Sequence, residues 1–129
     1  MIGKTIKSIL AGNSTLTAIV PAIRIFPYVM NEDTTLPAIV YTIDSVDPDY
    51  NKGGWAGDMI AFSVHSFTRD YPSLQTLSFA IRDALELNKT GSGTQDINPI
   101  YLSSMAEGYD QGADTFYNKL TFNVKINTY

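Results

Sequence analysis

The 129-residue chain has one histidine, His65, and no cysteine. A histidine serves as a general base only with a partner to orient it and a pocket for substrate, and as a metal ligand only beside further ligands. Neither stands near His65 in the sequence, so a surface or packed histidine is expected. Asp44, Asp47, Asp49 and Asp58 are the other grouped chemistry-bearing side chains. Paired carboxylates can share a proton or hold a hard cation, but a calcium loop needs a glutamate at a fixed later offset. None follows, and a solvated acidic loop is expected instead. Gly91-Ser92-Gly93 lacks the following Lys-Ser/Thr of a phosphate loop. Without cysteine there is no thiol nucleophile, thiolate metal site or disulfide framework. The sequence therefore offers no catalytic residue, no cofactor-binding residue and no metal site.

The elements that would position such groups are centred on the stretch from Asp58 to Leu87. In residues 58–68, Ile60, Phe62 and Val64 alternate with Ala61, Ser63 and His65, a period of two that predicts a strand with its apolar trio facing a core. Asp70 or Tyr71 is the expected N-cap of a following helix, and Pro72 suits its first turn, where a missing N–H has no helical partner. Over 72–88 the residues Leu74, Leu77, Ile81, Ala84 and Leu85 form one helical stripe.

Along the rest of the chain, Ile2, Ile6, Ile9 and Leu10 predict a first helix over 2–11. Ser14 or Thr15 is positioned to cap a second short turn that Pro21 ends. Residues 23–29 hold Pro27, which donates to no ladder, so they are expected as an edge or extended segment. Residues 38–47 are β-branched and aromatic, a strand with both faces partly apolar. Residues 47–57, with three glycines and a proline, read as a long, mobile loop. Residues 99–107 and 115–128 predict two more strands. In the last, Phe116, Leu120, Phe122, Val124 and Ile126 face one way, and Tyr117, Lys119, Thr121, Asn123, Lys125 and Asn127 face water. The expected fold is a single α+β domain spanning 1–129: one mostly antiparallel four-stranded sheet, helices packed on one face, and a long loop between the first two main strands.

Composition sets further bounds. A chain of this length buries roughly two thirds of the surface its unfolded form exposes, enough for a core without staples. Charged residues are only 17% and hydrophobic ones 44%, so part of the surface is expected to meet protein. Net charge is −4, with nine lysines and arginines scattered along the chain. Sequence-independent nucleic-acid binding needs a basic patch and is disfavoured. No run of about 18 apolar residues exists to span a membrane, and the N-terminus does not look like a signal peptide.

Six residues are candidates for binding a partner. Tyr50 and Trp55 lie in the 47–57 segment, where a large aromatic at a loop tip can anchor an interface or else pack back on the domain. Phe79 and Leu87 fall off the core stripe of the helix, so neighbouring segments or another subunit must cover them. Tyr117 and Lys119 lie on the wet face of the final strand.

The order of several segments resembles a known family. A short N-terminal helix precedes Arg24-Ile25-Phe26-Pro27, then Leu36-Pro37-Ala38-Ile39-Val40-Tyr41, then a glycine-containing loop. The strand MIAFSVHSFT (59–68), the helix YPSLQTLSFAIRDAL (71–85) and the strand FYNKLTFNVKI (116–126) complete it. This order is similar to the tail-completion or tail-terminator proteins of long-tailed bacteriophages, including the tail-to-head joining proteins. The resemblance implies a structural virion protein, assembled in the host cytoplasm and located in the tail and neck. It implies a homo-hexameric ring that caps the tail tube protein, meets a head-completion or stopper protein of the neck, and lets DNA pass without sequence-specific binding. Another head–tail connector component, or a small ligand-binding or regulatory domain, is the alternative.

Overall fold

The computed structural model describes residues 2–30, 35–86 and 96–128. Helix α1, Ile2–Gly12, buries Ile2, Ile6 and Leu10, which share one face at intervals of four. Helix α2, Ser14–Thr17, is capped by Asn13, one residue before the expected caps: Asn13 Oδ1 accepts the N–H of Leu16 at 3.0 Å, and asparagine is among the strongest N-caps. A 3₁₀ turn, Ala22–Arg24, leads into strand β1, Ile25–Pro27. Lys7 ties α1 to this segment, its Nζ donating to the carbonyls of Ala22 at 2.7 Å and Ile25 at 2.8 Å.

Strands β2, Ala38–Asn51, and β3, Gly54–Thr68, pair antiparallel as one long hairpin. Helix α3, Tyr71–Leu85, starts at the N-cap Asp70, whose carboxylate accepts the N–H of Ser73 at 3.1 Å. It buries Leu74, Leu77, Ile81, Ala84 and Leu85, the stripe read from the sequence. It ends at Leu85, because Glu86 is already extended; the rest of the expected 72–88 span, with Leu87, lies outside the described residues. Strands β4, Asp96–Ile97, β5, Tyr101–Asp110, and β6, Thr115–Thr128, complete the chain.

The sheet is wider than the four strands expected, and mixed. Its order is β1-β2-β3-β6-β4, with β5 also on β6. β4 meets β6 at Ile126–Thr128 and β5 meets it at Thr115–Asn123, so the two share one edge and the sheet is five strands across. β1 runs parallel to β2; the other pairs are antiparallel. The additional strands are three and two residues long, too short for an alternation to register.

The 47–57 segment is not a loop. β2 continues to Asn51, the chain turns through Lys52 and Gly53, and β3 begins at Gly54, with Tyr50 opposite Trp55 and Asn51 opposite Gly54. Asn51 Oδ1 accepts the N–H of Gly53 at 2.8 Å, a local bond that shapes the turn. Residues 44–51 are exposed, so neither face needs apolar residues and the alternation that marks a half-buried strand is missing. Two register shifts fall in this hairpin, at Ile43/Ser45 and at Pro48/Tyr50. Gly57 has φ +115°, and a Cβ there would lie 2.5 Å from the Ile126 carbonyl oxygen. Glycine is needed at 57 on both counts.

The core lies between the helices and one face of the sheet. Leu77, Ile81 and Leu85 pack with Ile60, Phe62, Val64, Leu120 and Phe122. Phe62 and Phe122 stack with ring centroids 5.4 Å apart. Each such fully buried side chain stabilises the fold by about 1.5–3 kcal/mol. Asn118 also points to this side, and its Nδ2 donates to Ser78 Oγ at 2.8 Å, pinning α3 in register on the sheet. Among the described residues no helix is long and apolar enough to cross a membrane.

Candidate functional site

The face of the sheet away from the helices brings together the residue types of a nucleophilic relay: Ser63, His65 and Asp44. Their wiring is different. Ser63 Oγ donates to Asp44 Oδ2, Thr42 Oγ1 donates to Asp44 Oδ1 at 3.1 Å, and Ser63 Oγ lies 3.4 Å from Thr121 Oγ1. In a relay the base sits between nucleophile and carboxylate; here the carboxylate accepts the serine hydrogen bond directly. Asp44 reaches Ser63 because it is the extra residue at the first register shift. The cluster thus links β2, β3 and β6 across the open face. His65 stands beside it, opposite Lys119 on β6. Burial first, and the Lys119 ammonium second, hold its pKa below the ordinary histidine value, against an upward pull from Asp44. Among the described residues no three His, Asp or Glu side chains gather to hold a metal ion.

The aromatic residues named from the sequence lie at separate places. Tyr50 and Trp55 come together as a cross-strand pair near the tip of the β2–β3 hairpin, 67% and 44% exposed. Trp55 Nε1 donates to Asp58 Oδ1 at 2.9 Å, which orients the indole while leaving much of its surface in water. Val46 and Met59, also exposed, extend this arm. Lys125 Nζ approaches Asp49 Oδ2 at 3.5 Å and ties the arm to β6.

Phe79 is 60% exposed on α3, away from the stripe that packs on the sheet. Tyr117 and Lys119 stand on the open face. Tyr117 covers its cross-strand partner Gly108, where an added Cβ would meet its hydroxyl oxygen at 2.5 Å. The six candidates therefore do not form one site. Two lie on the arm, two on the open sheet face, and one on the outer side of α3; Leu87 is outside the described residues.

Further exposed apolar side chains escaped the sequence reading. Ile23, Tyr28 and Val29 flank β1; Tyr28 takes φ 63°, and its residue type gives no sign of that. With Met30, Val40, His65 and Phe67, Tyr28 and Val29 line a shallow groove of about 270 Å³. On β5, Tyr101, Met105 and Tyr109 are exposed. A register shift between Leu102 and Ser104 turns Leu102 and Met105 to the same side, where unbroken alternation would set them apart. Tyr109 packs on Phe116 at 4.7 Å between centroids, and Tyr71 packs on the same ring at 5.9 Å.

Comparison with known proteins adds three findings. A family model described as tail completion protein gp17 matches residues 4–127. The fold is similar to that of a chain in a solved virion of a native gene transfer agent particle, with a TM-score of 0.83 and 15% identity, covering 97% of this chain and 93% of that one. A second solved chain is 13% identical with a TM-score of 0.63, covering 99% of this chain and 94% of its own length; at such identities the likeness is one of fold. No curated protein matches in sequence.

Proposed function

Because the chain belongs to the tail completion protein gp17 family, we propose that it is a structural protein of a phage-type virion tail. In this reading it closes into a homo-hexameric ring, caps the tail tube and joins it to the neck, and DNA passes through the ring without sequence-specific contact. The observation that carries the reading is the family match over 4–127, which runs from within the first helix to within the last strand.

Three physical features support it. A closed ring needs two different patches per subunit, each meeting the other on the next copy. The aromatic arm and the outer side of α3 at Phe79 are two such patches on different elements. The net charge of −4 keeps a ring surface from adhering to DNA. The Ser63–Asp44 bond bypasses His65, which supports a role in assembly over one in catalysis. The test is a particle lacking this gene. Overlong tubes, or tails that fail to join heads, are expected; normal-length tails joined to filled heads would overturn the reading.

A further inference from the structure

The two outer edges of the sheet are built differently. β1 pairs with β2 only at Ile39–Tyr41, so from Thr42 to Asn51 the outer edge of β2 has no neighbouring strand among the described residues. That edge carries the devices that stop a strand from recruiting another. Asp44 interrupts the register, Pro48 has no N–H, and Asp44, Asp47 and Asp49 place three negative charges along it. The outer edge of β5 is also without a neighbour among the described residues, and it carries fewer of these devices. It has no proline and no lysine, and its one register shift lies near its start, leaving Ser104–Asp110 in unbroken register with β6. Tyr101, Met105 and Tyr109 are exposed along it.

We propose that the outer edge of β5 receives an added strand from a different virion protein, an extended segment carrying lysine or arginine. The inference rests on the tail reading for where that partner is found. Main-chain hydrogen bonds to the free edge would supply affinity, and alternate side chains would supply selectivity. The charge of the edge selects the partner. Its only charged residues are Glu107 and Asp110, and both are held in place. Glu107 Oε1 accepts from Tyr71 Oη at 2.6 Å, and Asp110 Oδ1 accepts the N–H of Gly112 at 3.0 Å. Lys119 stands one strand further in, opposite Ala106, on the other face from Glu107 because successive residues alternate. A second copy is a poor occupant, since its free strand edges among the described residues are β2, with three aspartates, β5 itself, and β1 and β4, which at three and two residues are too short to pair along Ser104–Asp110. Like charges set side by side in a sheet are destabilising.

The test uses assembled tails carrying Ala106→benzoylphenylalanine, photo-crosslinked and read by peptide mass spectrometry. Alongside it, amide exchange of the native chain is compared between the free subunit and the tail. The expected result is a crosslink to a lysine- or arginine-bearing segment of another chain, with exchange over Ser104–Asp110 slowed roughly tenfold or more on assembly. A crosslink to a second copy or to an acidic segment overturns the proposal. So does unchanged exchange at β5 in a tail that contains the chain, and this arm needs no substitution, so a misfolded variant cannot obscure it. Absence of the chain from assembled tails overturns the tail reading together with the inference.

Discussion

The two halves of the β2–β3 hairpin share the same two strands, yet differ in what holds them. In the lower half, Ala38, Ile39, Val40 and Tyr41 are buried, with Phe62 and Val64 facing the helices. In the upper half, residues 44–51 are exposed. Side-chain ties there include the Ser63–Asp44 and Trp55–Asp58 hydrogen bonds and the Asp49–Lys125 pair. An exposed ion pair contributes about 0–1 kcal/mol, so backbone pairing carries most of the order in the arm. Stability is concentrated below, and the arm's side chains are left to serve contacts outside the subunit.

The sharpest way to break this comparison is a charge in the lower half. Ile81 is fully buried against the sheet, and Ile81→Asp would place an unpaired carboxylate there, a cost of several kcal/mol. Insoluble or unfolded protein is expected. A folded variant with an unchanged melting temperature would mean that the helix face does not bear the load assigned to it. Next in size is Gly57→Ala, inside the arm at the second register shift. The added methyl meets the Ile126 carbonyl and the backbone resists a side chain at φ +115°, so a loss of about 2–4 kcal/mol in denaturant unfolding is expected. Unchanged stability would mean that β6 does not grip the arm.

The same contrast explains what was legible in the sequence. The lower half was readable because burial imposes a pattern: the period of two in Ile60, Phe62 and Val64, and the helical stripe from Leu74 to Leu85, both fell where they were placed. The arm reads as a loop in sequence because exposure of residues 44–51 removes the alternation, and Asp, Pro and Gly there signal turns more strongly than strands. The Ser103 register shift is invisible for a related reason, since one extra residue in a solvated edge strand leaves no apolar residue in the wrong place. Of the candidate residues, Tyr50 and Trp55 were found by chemistry alone; that they pair became visible only once the ladder was known.

Substitutions on exposed patches should have smaller effects on folding and larger ones on assembly. Trp55→Ala removes the hydrogen bond to Asp58 and a half-exposed ring, for a stability change of about 1 kcal/mol. Phe79→Glu exchanges one exposed side chain for another and should fall within about 0.5 kcal/mol. Both variants should fold, and both should lower the yield of rings or joined tails. If both assemble normally, the arm and the outer face of α3 are not the two patches of a closed ring. If either unfolds, the division between a stabilising half and a contact-making half fails.

The smallest expected effect concerns His65, whose environment is set by the lower half and its open face. Burial and Lys119 lower its pKa, with Asp44 opposing them. The unfolded chain titrates near the ordinary histidine value of about 6.5. Between the folded pKa and that value the unfolded state binds a proton that the folded state does not, so stability rises with pH across the window. The contribution of His65 is complete above the unfolded value and is lost as pH falls through it toward the folded one. Unfolding free energy measured from pH 8 down to about 5.5, above the range in which most carboxylates titrate, should therefore decline in the native chain and stay flatter in His65→Gln. Lys119→Gln removes one of the two lowering influences and should give an intermediate slope. Trp55→Ala, up on the arm, should retain the native slope. Identical slopes in the native chain and His65→Gln would show that the open face around Ser63 and Lys119 is as freely solvated as the arm, and the contrast between the two halves would then hold for the helix-covered face alone.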